Sequence, residues 1–173
     1  MATPRLARGT SSSLGRMKTL PPASLAEAAN LADPELRFGQ MTGSVQSLHS
    51  TGTLWYSLLN MISAYIDGLA SGPKGGTRAA YIQYLETHFP ALVAELGAVT
   101  FYEKYRNATI HEFGLKKGYA IGRDSGLNGS YVATQAIKET GENIVILNID
   151  RLVSDFLAHV EGLRQSARGT HAP

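Results

Sequence analysis

The chain has 173 residues, 43% hydrophobic and 17% charged, with a formal net charge of +2 and no cysteine. That length supports one domain with its own core. No apolar stretch approaches the roughly 20 residues needed to cross a bilayer, and disulfides and thiolate metal centres are excluded. The charge is uneven: Arg5, Arg8, Arg16 and Lys18 stand in residues 1–20 without an acid, and subtracting them leaves −2 on residues 21–173. A body of that charge does not coat nucleic acid generally, so any RNA contact has to be local.

In chain order, residues 1–22 are expected to form a disordered basic tail, 23–165 a single helical domain and 166–173 a flexible tail. The charges of the N-terminal tail are not followed by the apolar run of a secretory signal. A transit peptide, also basic and Ser-rich, is the less favoured alternative. Ser24-Leu25-Ala26-Glu27 has the form of a capping box, predicting a short helix over 24–31 that Asp33-Pro34 ends. Residues 35–43 carry two glycines and are assigned to a connector. Over 44–69, Val45, Leu48, Trp55, Leu58, Ile62, Ile66 and Leu69 recur at helical spacing, predicting one long helix that Gly52 bends. Ser71-Gly72-Pro73-Lys74-Gly75-Gly76 is a break; its spacing is not that of a phosphate-cradling loop. A helix from Thr77 through Tyr81, Tyr84 and Leu85 follows. The next spans 90–96, with Pro90 in its first turn and Gly97 at its end. A further helix covers 99–112.

Six glycines in 114–143 change the texture. Tyr119-Ala120-Ile121 and Tyr131-Val132-Ala133-Thr134 flank a turn-rich stretch and are expected to pair as a small β-hairpin. Asn143-Ile144-Val145-Ile146-Leu147 reads as a short strand. Asn148 or Asp150 then caps a last helix through Leu163, with Ile149, Leu152, Val153, Phe156, Val160 and Leu163 on its inner face. The expected class is mainly α, four to five helices with a β-hairpin insertion before the last.

The chemistry concentrates in Tyr105-Arg106-Asn107-Ala108-Thr109-Ile110-His111-Glu112. Arginine is a permanent cation whose planar fork suits phosphate. Histidine as a residue type can take or give a proton near neutrality, and asparagine can hold either in place. With ten Arg and five His in the chain the bare spacing is common. The alternative is that Arg106 pairs with Glu103 or another acid while His111 decorates a helix end. Phe101, Tyr102 and Tyr105 form an aromatic stripe that could pack the motif against a partner. On a straight helix, positions five apart are separated by roughly 140° and do not share a face. Arg106 and His111 therefore converge only if the helix ends near His111, or if a twofold axis brings in a second copy. Lys104, Lys116 and Lys117, with Arg123 beyond them, are candidate phosphate-binding cations, although lysines in a Gly-flanked loop are usually just solvated. His49, His88, His159 and His171 lack zinc-ligand spacing. Asp150 and Asp155 suit a cap and a surface acid better than a catalytic pair. Asn107 and Asn128 match the glycosylation pattern, which without a secretory signal is read as chance.

The run 105–112 resembles the signature of the HEPN superfamily (higher eukaryotes and prokaryotes nucleotide-binding domains): an arginine, a polar residue, a gap, then a histidine. The long early helix, the helix-Pro-helix passage at His88-Phe89-Pro90 and the closing helix resemble its bundle over about residues 44–163. The resemblance implies a metal-independent endoribonuclease needing no cofactor. It further implies a homodimer that places two copies of the motif in one cleft, with RNA as substrate. Arg106 and His111 would be the catalytic pair and Asn107 the orienter, with Lys104, Lys116 and Lys117 binding substrate. It also implies a cytoplasmic toxin or defence component with an antitoxin or other protein partner. Some members of the superfamily are non-catalytic, so a module binding RNA, nucleotide or protein stays open as the alternative.

Overall fold

A computed structural model describes residues 33–71, 76–112, 114–123 and 129–169. It is mainly helical with one small sheet. The predicted tail at 1–22 and helix at 24–31 lie outside the described residues.

The helix α1 is Pro34–Ser50. Asp33-Pro34 starts this helix. The Asp33 carboxylate accepts from the Glu35 N–H at 2.8 Å, and Pro34, which has no N–H to lose, occupies the first turn. The residues 35–43 assigned to a connector are thus helical. Two internal glycines cost roughly 1 kcal/mol each, and burial of Phe38, Met41 and Val45 offsets them. The helix also packs along the last one. There Arg164 and Arg168 both donate to the Glu35 carboxylate and hold its pKa down at about 2.

The single helix expected over 44–69 is two. At Gly52 the backbone enters the left-handed region, φ 70°, where residues with a Cβ are strained. The helix α2 then runs Trp55–Ser71 and buries Leu58, Leu59, Ile62 and Ile66. Thr77 caps α3, Arg78–His88, its hydroxyl accepting from the Ala80 N–H at 3.1 Å. The helix α4, Pro90–Leu96, begins at its proline and stops at Gly97 as expected. A continuous helix, α5, follows over 98–111. It is α over Ala98–Thr100, π over Phe101–Arg106 and α again over Asn107–His111. The wide turn shows in the Asn107 N–H reaching back five residues to the Tyr102 carbonyl.

The strands are β1 Tyr119–Gly122, β2 Val132–Ala136 and β3 Asn143–Asn148. The expected pairing of 119–121 with 131–134 does not form. The sheet order is β1-β3-β2, with β1 parallel and β2 antiparallel to β3. The most apolar strand takes the centre, where both its edges are paired. The hairpin that exists joins β2 to β3 through a turn closed by Ile137 N–H to the Glu142 carbonyl, 2.8 Å.

The last helix, α6, is Ile149–Gly169 and extends into the stretch expected as a flexible tail from 166. Asn148 is its cap: the buried side chain accepts from the Arg151 N–H at 3.1 Å and donates to the Ser130 carbonyl at 2.8 Å. Its inner face places Leu152, Val153, Phe156 and Val160 in the core. Tyr131, fully buried, donates its hydroxyl to Asp155 at 2.5 Å and so pins β2 to α6. Asp155, part-exposed, thus serves as an acceptor for Tyr131 as well as a partner of Arg151.

His159 on α6 meets α3 at Tyr84, whose hydroxyl lies 2.6 Å from Nε2, and at the ring of His88, centroids 4.7 Å apart. Burial, and then the neighbouring His88, lower the His159 pKa; burial pushes Tyr84 up to about 12.

Truncation of Phe156, which also stacks on Tyr65 at 6.1 Å, should cost about 3–5 kcal/mol as Phe156→Ala in urea unfolding. Because the folded state holds His159 neutral, the unfolded chain takes up that proton first. Stability should be complete above the ordinary histidine value of 6.5 and fall as pH drops below it. Thermal melts from pH 8 to 5 should show this slope in the wild type and a shallower one in His159→Gln.

Candidate functional site

The arginine of the motif occupies a fixed position. Tyr105, just before it, is fully buried and donates its hydroxyl to the Val145 carbonyl of β3 at 3.0 Å. Phe101 is buried beside it. These two aromatics belong to the chain's own core and are not offered to a partner. With them turned inward, Arg106 faces α2. Its Nη2 donates to the Asp67 carboxylate at 2.6 Å, and its Nη1 donates to the Asn107 side-chain oxygen at 2.7 Å. The guanidinium lies over the rings of Tyr102, 5.2 Å, and Tyr81, 5.9 Å. Only 14% of the Arg106 side chain is exposed, and its Nε has no hydrogen-bond partner among the described residues.

His111 is exposed in the last turn of α5. Glu112 leaves helical geometry at φ −115° and ψ 0°, and the Ala108 carbonyl accepts from both Glu112 and Gly114. The helix therefore ends at His111. Arg106 Nη1 lies 3.5 Å from His111 Nε2, the long limit of a hydrogen bond. The two side chains converge within one chain despite their five-residue separation. The long arginine is held across the gap by Asp67 and Asn107, and no further turn of helix stands in the way. Thr109, between them, is buried and returns its hydroxyl to the Tyr105 carbonyl at 2.8 Å.

The acid partner of Arg106 is thus Asp67, whereas Glu103 pairs with Arg78 at 2.8 Å. Asp67 carried a signal in the sequence that went unused. It is the lone charged residue of the apolar helix Trp55–Ser71, and a buried-face charge without a purpose is costly. Arg106 and Asp67 line an open depression of about 430 Å³, whose other walls are Ala64, Gly68, Ser71, Gly76 and Ile110.

The candidate lysines do not converge there. Lys116 bonds to Glu112, and Lys117 to Glu142 at 2.7 Å. Lys104 stands two residues before Arg106, which puts it on a different face of the helix. Arg123 joins a separate group, over the Trp55 ring at 5.1 Å and 3.2 Å from Asp150, which also takes His49 at 2.7 Å. Asp150 is thus an ion-pair centre, and Asn148 does the capping. Among the described residues no three His, Cys, Asp or Glu side chains cluster as metal ligands, and no helix is long and apolar enough to cross a membrane.

No protein-family model, curated protein or solved structure matches the chain.

Removing the guanidinium strands the Asp67 carboxylate, which is only 30% exposed. Arg106→Ala should therefore destabilise the fold by roughly 1–3 kcal/mol. Arg106→Lys, which keeps the charge but not the fork, should lose less, both read as shifts in the urea midpoint at unchanged slope.

Proposed function

We propose that the protein is a metal-independent endoribonuclease of the HEPN type, acting through Arg106, Asn107 and His111. The observation that carries this reading is the convergence of the guanidinium and imidazole at 3.5 Å beside an open depression, with Asn107 accepting from the same Nη1. A phosphate seated on Arg106 places a ribose within reach of His111. His111 removes the 2′-hydroxyl proton, and the freed oxygen attacks the adjacent phosphorus while the 5′-oxygen leaves and takes a proton from solvent. Charge building on the phosphoryl oxygens falls to Arg106, oriented by Asn107. The 2′-hydroxyl is the nucleophile, so RNA is cut and DNA is spared.

In this reading the protein works in the cytoplasm as a toxin or defence component, with an antitoxin or similar protein to restrain it. A homodimer brings two such sites together. It is not needed to unite Arg106 with His111, so its part is to complete the cleft. Pairing of Lys116 and Lys117 with acids keeps general affinity for RNA low, in line with a substrate chosen by local structure.

Single-stranded RNA incubated with the protein in excess EDTA should be cleaved, leaving 2′,3′-cyclic phosphate ends. Arg106→Ala and His111→Ala should each lose about a hundredfold or more in rate. A substrate with one 2′-deoxyribose at the cut site should survive. Equal cleavage by wild type and His111→Ala, or none by either, ends the proposal.

A further inference from the structure

The depression beside Arg106 already contains an anion. Among the described residues its charged lining consists of Arg106 and Asp67, joined to each other at 2.6 Å. The remaining lining is small or apolar: Ala64, Gly68, Ser71, Gly76 and Ile110. A phosphate entering it therefore meets a cation whose charge is already balanced. We propose that Asp67 is a built-in competitor for the substrate's phosphate at Arg106, so that substrate binds by exchanging one anion for another. This rests on Arg106 being the phosphate-binding group of the nuclease reading above.

Three observations support the exchange. Nη2 already donates to Asp67, Nη1 donates to Asn107 and approaches His111, and Nε is buried. A phosphodiester must displace the carboxylate or share the guanidinium with it, and sharing sets two anions side by side in a partly desolvated site. The carboxylate is also packed by backbone: a Cβ on Gly76 would lie 2.6 Å from Asp67 Oδ1 and would crowd Ser71 Oγ as well. Ser71, in turn, bonds to the Asp67 carbonyl. Asp67 thus packs its Oδ1 against Gly76 while its Oδ2 accepts from Arg106.

Asp67→Asn tests the idea because it removes the charge while keeping the shape and an oxygen for Arg106. The probe is a fluorescently labelled single-stranded 2′-O-methyl oligoribonucleotide, which presents phosphates but cannot be cut through the 2′-oxygen. In fluorescence anisotropy Asp67→Asn should bind it roughly threefold to tenfold more tightly than wild type. Adding Arg106→Ala to Asp67→Asn should abolish the gain. Equal or weaker binding by Asp67→Asn, or no binding by either protein, overturns the proposal. A measurement on the wild type covers a failure of the variant to fold. With ¹³C-labelled aspartate, the Asp67 carboxylate resonance should move as the probe saturates the protein, and an unmoved resonance overturns the proposal. Cleavage of unmodified RNA is scored separately. Tighter probe binding without cleavage by any protein keeps the competitor and removes the nuclease reading. Cleavage by wild type with unchanged probe binding by Asp67→Asn does the reverse.

Discussion

Tyr105 joins the two halves of the structure. Its ring fills the space between the helices and the sheet, and its hydroxyl donates to the Val145 carbonyl at the centre of β3. That bond fixes the rotation of α5 about its own axis. With Phe101 and Tyr105 turned inward, the next residue has to face α2, where Asp67 receives it. The π turn over Phe101–Arg106 belongs to the same constraint. One extra residue in the turn lets two aromatics bury on one side while Arg106 reaches across to another helix.

Electrostatics at the surface follow a consistent pattern of local neutralisation. Glu35 is shared by Arg164 and Arg168, Asp150 by His49 and Arg123, and Asp155 by Arg151 and Tyr131. Lys116 and Lys117 are paired as well. Exposed pairs of this kind add little stability, but they neutralise much of the charge of the described surface. What remains at the candidate site is a single buried-edge cation, already matched by an acid. Such a site distinguishes ligands by geometry and by anion exchange rather than by bulk attraction.

The helices that were legible beforehand carried their own punctuation. Thr77 before Arg78, Pro90 in a first turn and Gly97 at a stop act within a few residues of where they stand. Two expectations failed because the deciding partner was remote. Residues 35–43, with two glycines, read locally as a connector, yet they are helical. The choice goes to α1 because α6 offers Phe38, Met41 and Val45 a place to bury and Glu35 two arginines. The hairpin drawn between 119–121 and 131–134 matched strand propensity but not partnership. A strand pattern states that a segment wants neighbours, not which ones, and β3 pairs with both through its apolar run Ile144-Val145-Ile146-Leu147.

By itself the sequence determined the helical class, most of the apolar faces and the presence of Arg106, Asn107 and His111 at a helix end, since these depend on spacing and on residues close in the chain. Only the tertiary structure decided whether those three meet. Their convergence depends on where α5 stops and on Asp67, thirty-nine residues away, reaching the guanidinium. Periodicity reports which face of a helix is apolar, but the aim of a long charged side chain is set by the charge it finds across a packed interface.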